Sequence, residues 1–160
     1  MKHRATIGAL SLSAAALVGL VAHESYTDKA VIPVKGDRPT VGFGSTFRDD
    51  GSPVQMGDTT TPPKALARTL AHIQKDEAGL KRCVTAPLSQ AEYDAYVSLT
   101  YNIGVVAFCS STLVTLLNAG KYREACEQIL RWDRFQGKPL RGLTLRRQRE
   151  YQQCIGGGQE

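Results

Sequence analysis

The chain has little that could hold a metal, a nucleotide or a redox group. Its three histidines, His3, His23 and His72, are scattered, and none lies within a few residues of a cysteine. There is no C-x₂₋₄-C pair, so nothing has the spacing of a zinc site. A G-x-S-x-G elbow and a P-loop are both missing. Gly42-Phe43-Gly44 is followed by no third glycine, and no helical pattern opens there, so it is not a dinucleotide fingerprint. Basic and aromatic residues are not interleaved, which argues against a nucleic-acid partner. Internal repeats and low-complexity linkers are absent beyond the N-terminal run. No cofactor and no metal are expected.

What is present fits one domain of ordinary globular composition: 160 residues, 42% hydrophobic and 22% charged. The net charge is +5, from 20 Lys and Arg against 15 Asp and Glu. Lys2 and Arg4 belong to an N-terminal segment of different character. Residues 5–22 carry no charge, and eleven of these 18 are Ala, Gly, Ser or Thr. A basic start before an apolar run is the pattern of an export signal. As a helix the run would span ~27 Å, slightly short of a ~30 Å hydrocarbon core, and its Ala and Leu favour helix in water too. Cleavage after Ala16 satisfies the small-residue rule through Ala14, but it would remove most of the helix leading to Glu24. Retention as an anchor is the favoured expectation.

Cys83, Cys109, Cys126 and Cys154 all lie in the C-terminal half. An even count beside an export signal reads as two disulfides, and four cysteines allow three pairings. Ala30-Val31-Ile32-Pro33-Val34 reads as an edge strand, Thr40-Val41-Gly42-Phe43-Gly44 as its return, and Lys35-Gly36-Asp37-Arg38-Pro39 as the turn between. Asp49-Asp50-Gly51-Ser52-Pro53 is a second turn. Beyond residue 60 the pattern is helical. Thr61-Pro62 opens a helix with Leu66, Leu70, Ile73 and Leu80 on one face. Ser89-Gln90-Ala91-Glu92 is a capping box before a helix apolar nearly all round, ended by Asn102-Ile103-Gly104. Residues 111–119 form a short helix stopped by Gly120. Tyr122, Ala125, Cys126, Ile129 and Leu130 make the next stripe. Leu143, Arg147, Tyr151 and Cys154 line the last helix, before a Gly156-Gly157-Gly158 tail. The fold class is therefore α+β, mainly α, with a small β-hairpin lobe at about 25–60, a larger helical lobe at about 61–155, and a cleft expected between them.

The remaining chemistry lies in carboxylates around the hairpin. Glu24 follows Leu20, Val21 and Ala22 and precedes Tyr26. A carboxyl against apolar surface keeps its proton more readily, which suits a general acid for glycosidic cleavage. Thr40, opening the return strand, has a hydroxyl that could hold an attacking water. Asp37, just before it, could accept that water's proton, although Asp is also a common turn residue. Asp28 is a further candidate.

These elements resemble the phage-type lysozymes, the phage endolysins of glycoside hydrolase family 24. The resemblance rests on Glu24, then Gly36-Asp37-Arg38-Pro39-Thr40-Val41-Gly42-Phe43-Gly44-Ser45-Thr46. It continues with the helix ending Tyr101-Asn102-Ile103-Gly104, Phe108 with Ser111-Thr112-Leu113, Arg131-Trp132, and Gly142-Leu143 with Arg146-Arg147 and Glu150. It covers residues 23–155, with five short motifs in order. It implies a lysozyme-like fold and a muramidase that cleaves the β-1,4 bond between N-acetylmuramic acid and N-acetylglucosamine in peptidoglycan, with no cofactor.

By motif, the resemblance gives Glu24 and Thr40 the catalytic places. The family's Asp, nine residues after the Glu and six before the Thr, has no counterpart: Pro33 and Val34 stand there. Asp37, or next Asp28, is left to supply that carboxylate. The resemblance further implies the pairing Cys83–Cys109 and Cys126–Cys154, since the helices of Cys126 and Cys154 pack together in the family. It makes residues 1–22 a signal-anchor-release segment ahead of a catalytic domain at 23–160. The protein would be tethered transiently in the inner membrane through residues 5–22, then released to the periplasm as a monomer. A secreted, disulfide-stapled wall-binding or inhibitor module without catalysis is the alternative, to be separated by lysis of peptidoglycan.

Overall fold

The computed structural model describes residues 2–156; Met1 and residues 157–160, with Gly157 and Gly158 of the expected tail, lie outside the described residues. The chain divides into two compact units, one of Leu17–Gln74 and the other of Met1–Ala16 with Lys75–Glu160. It is mainly helical, with two short antiparallel hairpins.

The first unit takes in most of helix α1 (Ala14–Glu24), strands β1 (Thr27–Val31) and β2 (Thr40–Gly42), and the first part of helix α2 (Pro62–Cys83). β1 pairs with β2 from Thr27↔Gly42 to Val31↔Thr40. The strand starts earlier than the 30–34 expected because its other edge is also used. Ala30 N–H donates to Asp58 O, and Thr60 N–H donates to Asp28 O. Ile32 and Pro33 then fall outside the strand, in keeping with a proline that cannot donate to a ladder. Ala30, Val41 and Val54 form a small buried cluster.

Along α2 the buried stripe is Ala65, Thr69, Ile73, Asp76 and Leu80, whereas Leu66 and Leu70 are 45% and 43% exposed. The expected face is thus rotated by one position in the first turns. The cause is local: Gly42 lies so close to Ala65 that a β-carbon on it would stand 2.7 Å from the alanine Cβ. Only a small residue on the helix admits the hairpin there.

The second unit is built on α3 (Gln90–Ile103). Ser89 and Glu92 form the expected capping box, and Tyr93, Tyr96, Val97, Leu99 and Thr100 are buried around the helix. Around it come α4 (Val105–Cys109), α5 (Thr112–Asn118, capped by Ser111), α6 (Tyr122–Gln128) and α7 (Arg141–Ile155). Gly104 and Gly120 end their helices at φ +86° and +75°. Disulfides join Cys83 to Cys109 and Cys126 to Cys154, the pairing implied by the resemblance. Their loops span 26 and 28 residues, for which chain entropy gives roughly 3–4 kcal/mol each. A second hairpin, β3 (Arg134–Phe135) with β4 (Lys138–Pro139), turns through Gln136 and Gly137 at φ +51° and +78°.

The N-terminal run is not the single helix expected over 5–22. Only Ala14–Glu24 is α-helical; before it come a 3₁₀ turn at Ile7–Ala9 and an antiparallel bridge from Ala5 to Leu88. Ser13 sets the helix start by accepting a hydrogen bond from Ala16 N–H at 3.1 Å. The backbone N–H groups of Leu12 and Ser13 go to Glu77 and Asp94 instead of to helical carbonyls. Among the described residues no helix is long and apolar enough to cross a membrane.

Candidate active site

Glu24 is the last residue of α1 and is half-buried. Ser25 follows at φ +52°, a left-handed value uncommon for a side chain with a β-carbon. It turns the chain sharply from α1 into β1 and leaves Glu24 on the corner.

The partner of that corner is a tight reversal at the end of β2. Val41 and Ser45 exchange both backbone hydrogen bonds, at 3.0 and 3.1 Å. Within it, Gly42 and Gly44 have φ +69° and +75°, conformations that glycine adopts without steric cost. The expected strand over 40–44 therefore stops at Gly42. A β-carbon at Gly44 would lie 2.6 Å from Glu24 Oε2 and 3.4 Å from its Cδ. Glu24 is thus held against bare glycine backbone. Beside it, the rings of Tyr26 and Phe43 meet at 5.3 Å with a 54° tilt, bracing the residues next to Glu24 and Gly44.

Thr40 opens β2, half-buried, with its hydroxyl only loosely engaged by Val31 O at 3.5 Å. Asp37 sits exposed in the turn between the strands. Its N–H donates to Val34 O, and its Oδ1 accepts from Arg38 N–H at 2.8 Å. Asp28 is exposed on β1. Glu24, Asp28, Asp37 and Thr40 all belong to the Leu17–Gln74 unit. Glu24 lies against the backbone of Gly44, and Asp37 Oδ1 faces its own loop.

The other carboxylates on this hairpin side are engaged. Asp58 takes a bidentate pair from Arg48 at 2.7 and 2.8 Å, and these hydrogen bonds pull it down to about 2. Asp49 accepts from Arg68 at 2.7 Å, and Asp50 accepts from the hydroxyl and N–H of Ser52; both lie below the usual carboxylate range through those bonds. No ion pair to Asp28 or Asp37 is seen among the described residues. The described residues contain no group of His, Cys, Asp and Glu able to hold a metal ion.

The sequence reading did not foresee Gly44 as the neighbour of Glu24. The signal was available, since a G-x-G after a strand invites a close approach. It missed Asp76 too. Burial alone pushes this carboxyl up to about 7.

Known proteins resemble this chain in sequence and fold. The Phage lysozyme family model matches residues 21–150. The endolysin of Salmonella phage P22 is 36% identical over 127 residues, 79% of this chain and 82% of its own length. The SAR-endolysin of Enterobacteria phage P21 is 30% identical over 158 residues, 95% of this chain and 91% of its own. The solved endolysin from Escherichia coli O157:H7 phage FAHEc1 superposes with a TM-score of 0.81 at 30% identity, covering 99% of both chains. The family match begins in the helix that carries Glu24, takes in the glycine hairpin and reaches Glu150 in α7, and on that extent the chain belongs to the phage lysozyme family.

Proposed function

We propose that this chain is a phage endolysin whose muramidase activity hydrolyses the β-1,4 bond between N-acetylmuramic acid and N-acetylglucosamine, so that peptidoglycan is its substrate and host lysis its outcome. The observation that carries the reading is the carboxyl of Glu24 held at the end of α1 against the open backbone of Gly44.

In this mechanism Glu24 gives its proton to the glycosidic oxygen as the C1–O bond breaks. A water attacks C1 from the opposite face and loses its proton to the second carboxylate. Asp37 is the first choice for that carboxylate because one of its oxygens stays clear of the turn hydrogen bond; Asp28 is the next. The Thr40 hydroxyl orients the water. An inverting reaction of this kind needs the two carboxyls roughly 6.5–9.5 Å apart to admit the water.

The protein is exported to the periplasm. The proposed route is that residues 5–22 first hold it in the inner membrane and then leave the bilayer without cleavage, giving a monomer with residues 23–160 as the catalytic domain. The 30% identity to a SAR-endolysin along 158 residues supports this route.

Glu24→Gln tests the function. Clearance of a peptidoglycan suspension should slow by about 10²–10⁴-fold with an unchanged melting temperature. Mass analysis of the fragments released by the parent protein should show hydrolysed N-acetylmuramic acid ends. Near wild-type clearance by the variant would refute the assignment.

A further inference from the structure

The charge of this chain is gathered in one place. Residues 121–150 hold nine Lys and Arg against four Asp and Glu, whereas all other residues together hold eleven of each. The net charge of +5 therefore belongs to one stretch of the second unit. Charge concentrated in one part of a chain points to an anionic partner. Some of these cations are spent inside the fold. Arg146 and Arg147 are buried beside Glu150, with Arg146 Nε 3.2 Å from its Oε1. Arg123 meets Glu127 at 3.5 Å on the surface of α6.

What is left centres on the β3–β4 hairpin and its flanks. Arg131, Arg134, Lys138 and Arg141 are all exposed. Arg131 Nη1 donates to Gln128 Oε1, and Arg134 Nη1 donates to Gly137 O, each at 3.2 Å, so these guanidinium groups meet neutral oxygens. Among the described residues no carboxylate forms an ion pair with any of the four. The single acid between Arg131 and Arg141 is Asp133, half-buried, which accepts from the Thr144 hydroxyl at 3.2 Å. In the hairpin Arg134 stands opposite Pro139, and Phe135 opposite Lys138. Opposed residues share a face and successive residues alternate, so Arg134 and Lys138 lie on opposite faces of the ribbon. The tip between them, Gln136-Gly137, is exposed and uncharged. Trp132 and Phe135 are half-buried among the cations. In this stretch basic and aromatic residues do alternate, unlike in the rest of the chain.

We propose that the β3–β4 hairpin and its flanking arginines form a docking finger for an anionic phospholipid surface, holding the soluble protein peripherally at a membrane. A rod-like polyanion touches one face of a two-stranded ribbon. A tip that enters a headgroup layer has phosphate on both sides, which is what cations on both faces can use. Trp132 is the residue type that settles at the headgroup level of a bilayer. The finger requires neither the catalytic assignment nor insertion of residues 5–22, and lysis is not its readout.

Trp132 is the only tryptophan of the chain, so its fluorescence reports on this surface. Full-length soluble protein is titrated with phosphatidylcholine vesicles and with vesicles of equal parts phosphatidylcholine and phosphatidylglycerol, and the bound fraction is also read by sedimentation. Only the anionic vesicles should move the emission to shorter wavelength and carry the protein down. Raising the ionic strength to about 1 M, where the Debye length is ~3 Å, should release it. Each cation near an anionic surface contributes about fivefold in affinity, so Arg134→Ala/Lys138→Ala should bind roughly 25-fold more weakly. Lys64→Ala removes an exposed cation of the other unit and should change affinity by less than about twofold, because local and not net charge sets the binding. Should the double variant fail to fold, Lys138→Gln and Arg141→Gln replace it, each expected to lose about fivefold. Equal binding to both kinds of vesicle would overturn the proposal. So would undiminished binding by the hairpin variants, which would leave the N-terminal run as the membrane contact. Tighter binding to duplex DNA than to the anionic vesicles at equal charge concentration would overturn it in favour of a nucleic-acid partner.

Discussion

Replacing Gly44 by alanine tests the geometry around Glu24 more sharply than removing the carboxyl does. Two effects are expected, and they separate. The backbone at position 44 has φ +75°, where an L side chain costs about 1–2 kcal/mol. In a chain of this size that lowers the melting temperature by roughly 2–8 °C. The new β-carbon would also stand 2.6 Å from Glu24 Oε2, against ~3.5 Å for an ordinary carbon contact, so the carboxyl must retreat by about 1 Å. A misplacement of that size costs about 10²-fold in rate. The loss should appear in kcat, because Glu24 acts on the bond being broken. Gly51→Ala is the control: its φ is +83°, but a β-carbon there meets nothing within 4 Å. It should lose similar stability and keep its lytic rate. Glu24→Gln/Gly44→Ala should be no slower than Glu24→Gln, since both changes act through one carboxyl. The assay is the initial rate of peptidoglycan clearance at saturating and limiting substrate, with thermal melts of all four variants. Equal rates for Gly44→Ala and Gly51→Ala would refute the claim that Gly44 positions Glu24.

The other expectations are simpler to state. Asp37→Asn should slow lysis at unchanged melting temperature while Asp28→Asn stays active; the reverse pattern moves the second carboxylate to Asp28. Asp76, raised by burial to about 7, binds its proton more tightly folded than unfolded, so its effect on stability worsens as pH rises from about 4 to 7 and then levels. Asp76→Asn should therefore raise the melting temperature most above pH 7 and least near pH 4, and a pH-independent difference would contradict the burial argument. Gly8→Leu/Gly19→Leu should fold normally, since a β-carbon at either place meets nothing within 4 Å. It should also shift the protein toward the membrane fraction and delay lysis, because leucine favours insertion; an unaltered partition would count against the tethering proposal.

Local rules reached those parts of the fold that depend on few residues. The capping box at Ser89 and Glu92, the stops at Gly104 and Gly120 and the turn at 49–53 each follow from a few neighbouring residues, and the structure has them all. Where position is decided by a distant partner, the sequence was silent or misleading. Leu66 and Leu70 have the better hydrophobic claim, yet Ala65 and Thr69 are buried, because Gly42 needs a small neighbour. Arg147 is completely buried, and its Nη2 donates to Asn102 Oδ1 at 2.8 Å across 45 residues. The hairpin β3–β4 had no counterpart in the reading, although Gln136-Gly137 is a two-residue turn of the kind that needs positive φ. Glu24 and Thr40 stand out as candidates because the short motif around each survives, although the turn before Thr40 is one residue longer than the family's. Asp37 was legible only as a candidate, since Asp serves turns as readily as chemistry.

The composition of residues 5–22 follows from the structure that this segment reaches. An 18-residue run rich in leucine and isoleucine would insert well but would find no comparable burial in this fold. Here only Leu10 and Leu20 of the run are buried, and Val18 is 68% exposed. Nine of the run's residues must abandon any membrane helix, since residues 5–13 end in a bridge, a 3₁₀ turn and polar contacts. Ser11 and Ser13 are weak in lipid, yet Ser13 caps α1 and binds Asp94, and Ser11 accepts from Gln90. Ser13 is thus weak in lipid but has specific side-chain partners in the folded protein, whereas Leu10, Ser11 and Leu12 are engaged through their backbone. Leucine at Ser13 should therefore impair the soluble fold, whereas leucine at Gly8 should leave it intact, a contrast that thermal melts of the two single variants can measure directly.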